Sequence, residues 1–289
     1  MEGPGRIREA SEPPDLNYDH FSELPIAKEI VRHCIEKVGI RPGHIVLDIG
    51  TGTGDSVAAI LEKLRTGSGW DGRVVSIEPD PYSLAIARER LKGCPVEFYQ
   101  CTAQDLGGLP FATEKAFDIT VWSNGIHYLT SAEDLERALA AIRRVTREKF
   151  AAWSTFVKEA YLGNKTARFS GLWVGEACRQ LQVDAKTERE KSNNLQERGA
   201  GEYIAALLAA GFSKVESSLE AFALPPEVYG AIARFRDYVE NALPHMPRRP
   251  EITLEMRSNA LFDAVRKIYA LLKVETLDQN WLYLAAALT

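Results

Sequence analysis

The feature that most limits how this chain folds is a glycine-rich turn set between two unlike segments. Residues 44–50 (HIVLDIG) form a short apolar run without alternation, the pattern of a strand buried on both faces of a parallel sheet. Residues 56–65 (SVAAILEKLR) carry the periodicity of a helix. Between them stands Asp48-Ile49-Gly50-Thr51-Gly52-Thr53-Gly54. Glycine serves such a turn in two ways. It takes up tight backbone conformations, and its bare backbone lets N–H groups approach a ligand.

The same rhythm repeats along the chain. RVVSIEP (73–79), VEFYQCT (96–102), FDITVWSN (117–124) and EKFAAWSTF (148–156) read as strands. PYSLAIARERLK (81–92) and SAEDLERALAAIRRVT (131–146) read as the helices between them. GEYIAALLAAGF (201–212) is a further helix, KVESSLEAFAL (214–224) a sixth strand and WLYLAAALT (281–289) a closing apolar strand. Strands alternating with helices predict an α/β fold with a doubly wound, mainly parallel, seven-stranded sheet. Ligands bind such sheets at the carboxyl ends of the strands.

Around that sheet, residues 1–16 read as a disordered tail and 17–40 as an N-terminal cap helix. Its apolar stripe is Ile26, Ile30, Cys34, Ile35 and Val38. Residues 41–224 with 280–289 form the expected nucleotide-binding domain, and 225–279 a helical cap insertion. GSGWDG (67–72) reads as a turn, 158–183 as helical, and the mixed charges of 184–198 as a solvated helix face or lid.

The spacing of the turn narrows the ligand. Dinucleotide sites follow G-x-G-x-x-G. Here it is G-x-G-x-G, and Asp55 takes the place of the last dinucleotide glycine. A carboxylate at a helix N-terminus is expected to satisfy the free N–H groups there and to repel a pyrophosphate. Asp48 adds a second negative charge. The setting suits S-adenosylmethionine, which carries an ammonium and a sulfonium and no phosphate. Glu78, ending the second strand, can accept from both ribose hydroxyls. Asp105 can accept from an adenine amino group. Trp122, Ser123, Asn124 and Gly125 lie where donor must meet acceptor. Plainer readings stand beside these: a turn that only packs helix on strand, Glu78 capping the next helix, and Asp105 as a solvated loop acid.

These motifs resemble the class I S-adenosylmethionine-dependent methyltransferases, in the style of the small-molecule quinone-biosynthesis (type 11) enzymes. VLDIGTGTGD is similar to the family's first motif and VVSIEPD to its second. AQDLGGLPF is similar to the adenine-contacting segment and FDITVWSNGIHYL to the fourth motif. The resemblance covers roughly residues 18–223. It implies a Rossmann-like methyltransferase fold and S-adenosyl-L-methionine as cofactor. The implied cofactor set is Asp48, Gly50, Thr51, Gly52, Gly54, Glu78, Pro79, Ala103, Gln104, Asp105, Ser123 and Asn124. Thr51 stands where the family often has Cys, and residues 225–279 exceed a minimal enzyme.

For transfer itself, His127 is a candidate base or substrate-orienting residue, and Tyr18 and His20 are candidates from the cap. Trp153, Phe156, Tyr161, Phe169 and Trp173 favour a hydrophobic or aromatic acceptor, although each also suits a core. The expected reaction is in-line methyl transfer to a small metabolite. A non-methylating use of the sulfonium, a non-catalytic cofactor-binding protein and a dinucleotide oxidoreductase remain open.

Charge excludes some partners. Over 289 residues the formal net charge is -5, which speaks against nucleic acid, since phosphate neutralisation dominates that affinity. No apolar run is long enough to span a membrane. Cys34, Cys94, Cys101 and Cys178 show no C-x-x-C spacing and read as reduced thiols of a cytoplasmic protein. The scattered histidines show no metal-ligand spacing. A monomer or homodimer is expected.

Overall fold

The computed structural model of the chain describes residue 16 and residues 19–160, 166–183, 197–244 and 249–288. Seven strands form one sheet: β1 (Ile45–Ile49), β2 (Arg73–Glu78), β3 (Val96–Gln100), β4 (Phe117–Ser123), β5 (Thr146–Ser154), β6 (Ser213–Leu224) and β7 (Leu277–Ala287). Their order is β3-β2-β1-β4-β5-β7-β6. The first five in that order run parallel, and β7 is antiparallel to both neighbours. This is the doubly wound, mainly parallel sheet that the alternating motifs predict.

Burial explains the strand patterns. β1, β2 and β4 are interior and parallel, so both faces are covered and nearly every residue is apolar and buried. β6 is an edge strand, and its residues alternate between half-buried and exposed. Leu47, Ile49, Val75, Ile77, Phe117, Leu139 and Phe150 belong to one contiguous core. Each such side chain stabilises the fold by about 1.5–3 kcal/mol when taken from water.

The helices start and stop for local reasons. α1 (Pro25–Val38) opens on proline, whose missing N–H costs nothing at that position, and ends at Gly39 with φ +82°. α2 (Asp55–Leu64) follows the glycine turn. α3 (Pro81–Arg90) is capped by Asp80, which accepts from Ser83 N at 2.8 Å. α4 (Ala132–Val145) is capped by Ser131, which accepts from Asp134 N at 3.0 Å. α5 (Thr166–Leu181) and α6 (Ala200–Ala209) follow β5.

Two details differ from expectation. Residues 67–72 are more than a turn, because Arg65–Thr66 and Gly69–Trp70 pair as a small antiparallel ribbon. The closing strand begins at Leu277, before Asn280. Residues 1–15 of the tail, Tyr18, Tyr161 and residues 184–196 lie outside the described residues.

The described residues group into two compact units. The sheet unit draws on residues 22–168, 193–224 and 276–289, and the helical unit on residues up to 21, 169–192 and 225–275. In the helical unit α7 (Pro226–Ile232), α8 (Arg236–Ala242) and α9 (Leu254–Leu272) pack with the body of α5. Its core is aromatic. Trp173 stacks on Tyr238 with centroids 5.2 Å apart, and Phe169 meets Tyr229 at 4.5 Å. Trp173 Nε1 donates to Leu261 O at 2.6 Å, which satisfies its one buried donor.

Candidate functional site

The glycine turn joins the carboxyl end of β1 to α2. Gly50, Gly52 and Gly54 all have left-handed φ, at +68°, +53° and +99°. Only glycine enters that region without strain. The last two differ in their surroundings. A Cβ on Gly54 would stand 2.9 Å from Leu91 Cδ1, so this glycine lets α2 and α3 pack. A Cβ on Gly52 would meet no atom within 4 Å. Gly52 therefore faces open space.

Beneath the turn lies Asp48, fully buried. Its carboxylate accepts from Ser56 Oγ at 2.7 Å, from Ser76 Oγ at 3.0 Å and from Thr51 Oγ1. Burial raises its pKa, and the three hydroxyl donors oppose that rise. Asp48 thus ties the turn to β2 and α2 from below. Ser56 and Ser76 are partners that sequence reading missed. The β1–β2 register, which places Ser76 beside Asp48, was the one signal for Ser76.

Glu78 ends β2 and is buried. Its Oε2 accepts from Gly52 N at 2.8 Å and its Oε1 from Asp80 N at 2.9 Å. Burial raises its pKa while these two backbone donors lower it. Each oxygen keeps a second lone pair, so the carboxylate still has capacity for two hydroxyl donors. Pro79 beside it is exposed, and its carbonyl accepts from Gln100 Nε2 at 3.2 Å.

Asp55 corrects the electrostatic argument. Its carboxylate pairs with Arg90 at 2.8 Å rather than capping α2, and the same guanidinium donates to Thr53 O at 2.7 Å. Asp55 is therefore neutralised, and its charge is a weak obstacle to a pyrophosphate. Topology separates the two ligand classes better. The dinucleotide order 3-2-1-4-5-6 has no antiparallel strand inserted beside its edge, whereas here β7 sits between β5 and β6.

After β3, Ala103 is buried, Gln104 half-buried and Asp105 exposed. Asp105 accepts from Thr102 Oγ1 at 2.6 Å and lies 3.8 Å from Arg137. At the end of β4, Ser123 and Asn124 are half-buried. Asn124 has φ +45°, rare for a residue with a side chain, and such outliers gather at functional sites. Its N–H donates to Trp153 O at 2.8 Å and its Oδ1 accepts from Thr155 N at 3.3 Å. The Trp122 indole reaches under the glycine turn, with Nε1 3.5 Å from where a Gly50 Cβ would stand.

His127 is fully buried, between the rings of Tyr128 (4.4 Å) and Phe156 (4.3 Å). Its Nδ1 is 3.0 Å from Ser154 Oγ, and its Nε2 has no hydrogen-bond partner. Burial alone lowers its pKa to about 3. Such an imidazole is neutral near pH 7 and too weak a base to deprotonate an ordinary hydroxyl.

Of the two cap candidates, Tyr18 lies outside the described residues. His20 is exposed in the helical unit, where it lines a cavity of about 240 Å³ with Glu227, Arg234, Phe262 and Arg266. Phe169 and Trp173 are core residues of that unit, and Trp153 is buried in the sheet. Among the described residues no cluster of His, Cys, Asp or Glu is suited to a metal, and no helix is long and apolar enough to cross a membrane.

An acid ending β2, a glycine turn after β1 and an antiparallel β7 together mark this α/β architecture. The model of a methyltransferase domain family matches residues 46–149. The ubiquinone/menaquinone biosynthesis C-methyltransferase UbiE of Hydrogenovibrio crunogenus is 32% identical over 137 residues, which is 45% of this chain and 50% of that protein. The chain thus spans about half the length of the curated relatives it matches. Phosphoethanolamine N-methyltransferase 2 of Haemonchus contortus superposes with a TM-score of 0.53 at 15% identity, over 90% of this chain and 52% of that one. The [4+2]-cyclase SpnF superposes with a TM-score of 0.50 at 19% identity, over 90% of this chain and 80% of that one. These two likenesses are of fold. Residues 46–149 are thus similar to a methyltransferase domain, and the likeness of fold to solved methyltransferase structures extends over 90% of the chain.

Proposed function

We propose that the protein transfers the methyl group of S-adenosylmethionine to a small, hydrophobic or aromatic metabolite. The observation that carries this reading is the open space over Gly52 beside the Glu78 carboxylate. In this reading the turn residues Gly50, Thr51, Gly52 and Gly54, held by Asp48, lie along the methionine part of the cofactor. Glu78 and Pro79 take the ribose, and Ala103, Gln104 and Asp105 the adenine. Ser123 and Asn124 stand at the sulfonium end. The bound cofactor supplies an activated methyl group. The chain's own residues orient acceptor, methyl and sulfur in line, and positioning accounts for much of the rate. Neutral His127 contributes by orienting the acceptor.

Likeness to a quinone-biosynthesis C-methyltransferase favours an aromatic carbon acceptor. A second reading, in which the bound sulfonium serves a reaction other than methyl transfer, draws on the occurrence of the same fold in a [4+2]-cyclase. The test has two stages. Calorimetry compares S-adenosylmethionine, S-adenosylhomocysteine and NAD, and tight binding of the first two with none of NAD is expected. Incubation with hydroquinone acceptors then follows S-adenosylhomocysteine release. Binding without release against any acceptor favours the second reading, and absence of binding refutes both.

A further inference from the structure

On the face of β5, β6 and β7 in the sheet unit lies a cavity of about 340 Å³. Tyr283, Ala285 and Ala287 alternate along β7 and form part of its lining, and the two alanines leave it room. It extends to the amino-terminal ends of β5 and β6, whereas the glycine turn is at the carboxyl end of β1. Three ammonium groups line it: Lys37 from the last turn of α1, Lys149 from β5 and Lys214 from β6. One acid, Glu216, lines it too.

The charges there are not balanced. Lys37 pairs with Glu220 and donates to Ser218 Oγ at 3.0 Å. Lys149 Nζ donates to the carbonyl of Val38 at 2.9 Å and keeps two N–H groups to spare. Among the described residues no carboxylate forms an ion pair with Lys149 or Lys214. With Lys37 matched by Glu220, Lys149 and Lys214 face the single carboxylate of Glu216, which leaves an excess of one positive charge beside the cavity.

Two further observations concern the lining. Lys214 has φ +49° at a register shift between Ser213 and Val215, a left-handed conformation that disfavours every residue with a Cβ. Bulges of this kind re-aim a side chain, and here the re-aimed side chain lines the cavity. Tyr283 is 5% exposed, and its hydroxyl is buried with no hydrogen-bond partner. Burial raises its pKa, so it remains a donor. A buried donor left unsatisfied calls for an acceptor.

The geometry points to a binding site in this cavity for a phosphate-bearing small molecule, with Lys149, Lys214 and the Tyr283 hydroxyl as its donors. The lining offers mostly donors, which suits an acceptor-rich anion. The volume exceeds a bare phosphate and falls within the range of small-molecule pockets.

The experiment measures thermal unfolding of the full chain in inorganic phosphate or glycerol 3-phosphate, against sodium chloride of equal ionic strength. A saturable rise beyond the salt control is expected. Lys214→Gly and Tyr283→Phe should each weaken phosphate binding at least tenfold while leaving S-adenosylhomocysteine affinity unchanged. Without ligand, neither should unfold at a lower temperature than the parent, since one relieves backbone strain and the other removes an unsatisfied donor. A rise no larger than that in chloride overturns the assignment. Parental phosphate affinity in both variants also overturns it, and should Lys214→Gly fail to fold, Tyr283→Phe alone decides.

Discussion

Gly52→Ala and Gly54→Ala add the same methyl group two residues apart, yet they should fail differently. At Gly54 the backbone cost of a left-handed alanine, about 1–2 kcal/mol, adds to overpacking. The new Cβ would sit 2.9 Å from Leu91 Cδ1, so that side chain has to shift, and 3.5 Å from Ala87 Cβ, an ordinary contact. Overpacking of that kind costs about 1–3 kcal/mol, so Gly54→Ala should lose roughly 2–5 kcal/mol of stability. At Gly52 no atom lies within 4 Å, so only the backbone cost of about 1–2 kcal/mol applies. The methyl there stands in the space through which a ligand reaches the turn. S-adenosylhomocysteine affinity should therefore fall at least tenfold, about 1.4 kcal/mol. Urea denaturation measures the first quantity and calorimetry the second. Equal stability losses in both variants, or parental affinity in Gly52→Ala, would refute the division of labour drawn from the Cβ geometry.

Glu78→Gln leaves one carbonyl oxygen for the two N–H donors of Gly52 and Asp80, so the fold should weaken by about 1–3 kcal/mol in urea and cofactor binding should fall with it. Asp48 has a pKa raised by burial, so the folded state holds its proton more tightly than the unfolded chain. Its contribution to stability is full below the ordinary carboxylate pKa and is lost as pH rises through the raised one. Asp48→Asn should flatten that part of the pH–stability curve. His127 has the opposite sign, because its pKa is lowered to about 3. Stability should fall as pH drops from 6.5 toward 3, by up to about 1.4 kcal/mol per pH unit, and His127→Phe should remove that slope. Trp173→Ala should cost about 3–5 kcal/mol in the helical unit, seen as a lower unfolding temperature, because it empties a stacked aromatic site and removes the indole hydrogen bond to Leu261 O.

Strands β1, β2 and β4 were legible because unbroken apolar runs between helices have few other homes, and Gly50, Gly52 and Gly54 because their spacing is distinctive. Asp55 was misread for a physical reason. Its position at the start of α2 was visible, but its partner Arg90 lies 35 residues on, and no local pattern announces a pair that forms across two helices. Asp48 shows the same limit. Its identity was clear, while its three hydroxyl partners come from the turn, the next helix and the neighbouring strand. The ribbon at Arg65–Trp70 was hidden by its length, since strands of two residues leave no periodicity. The Lys149–Lys214 cavity had no signature at all, because strand pairing, not sequence, brings those residues together.

The place of β7 in the sheet has a consequence for how the chain acquires its structure. β6 pairs with β7 alone, and β7 is synthesised only after the whole stretch containing α7, α8 and α9. A growing chain therefore carries twelve residues of edge strand with no neighbour until the segment from Leu277 has appeared. Assembly on that side of the sheet is slow and late, since it waits on contact between distant segments. During that interval the bare strand is the part of the molecule most open to pairing with the wrong chain.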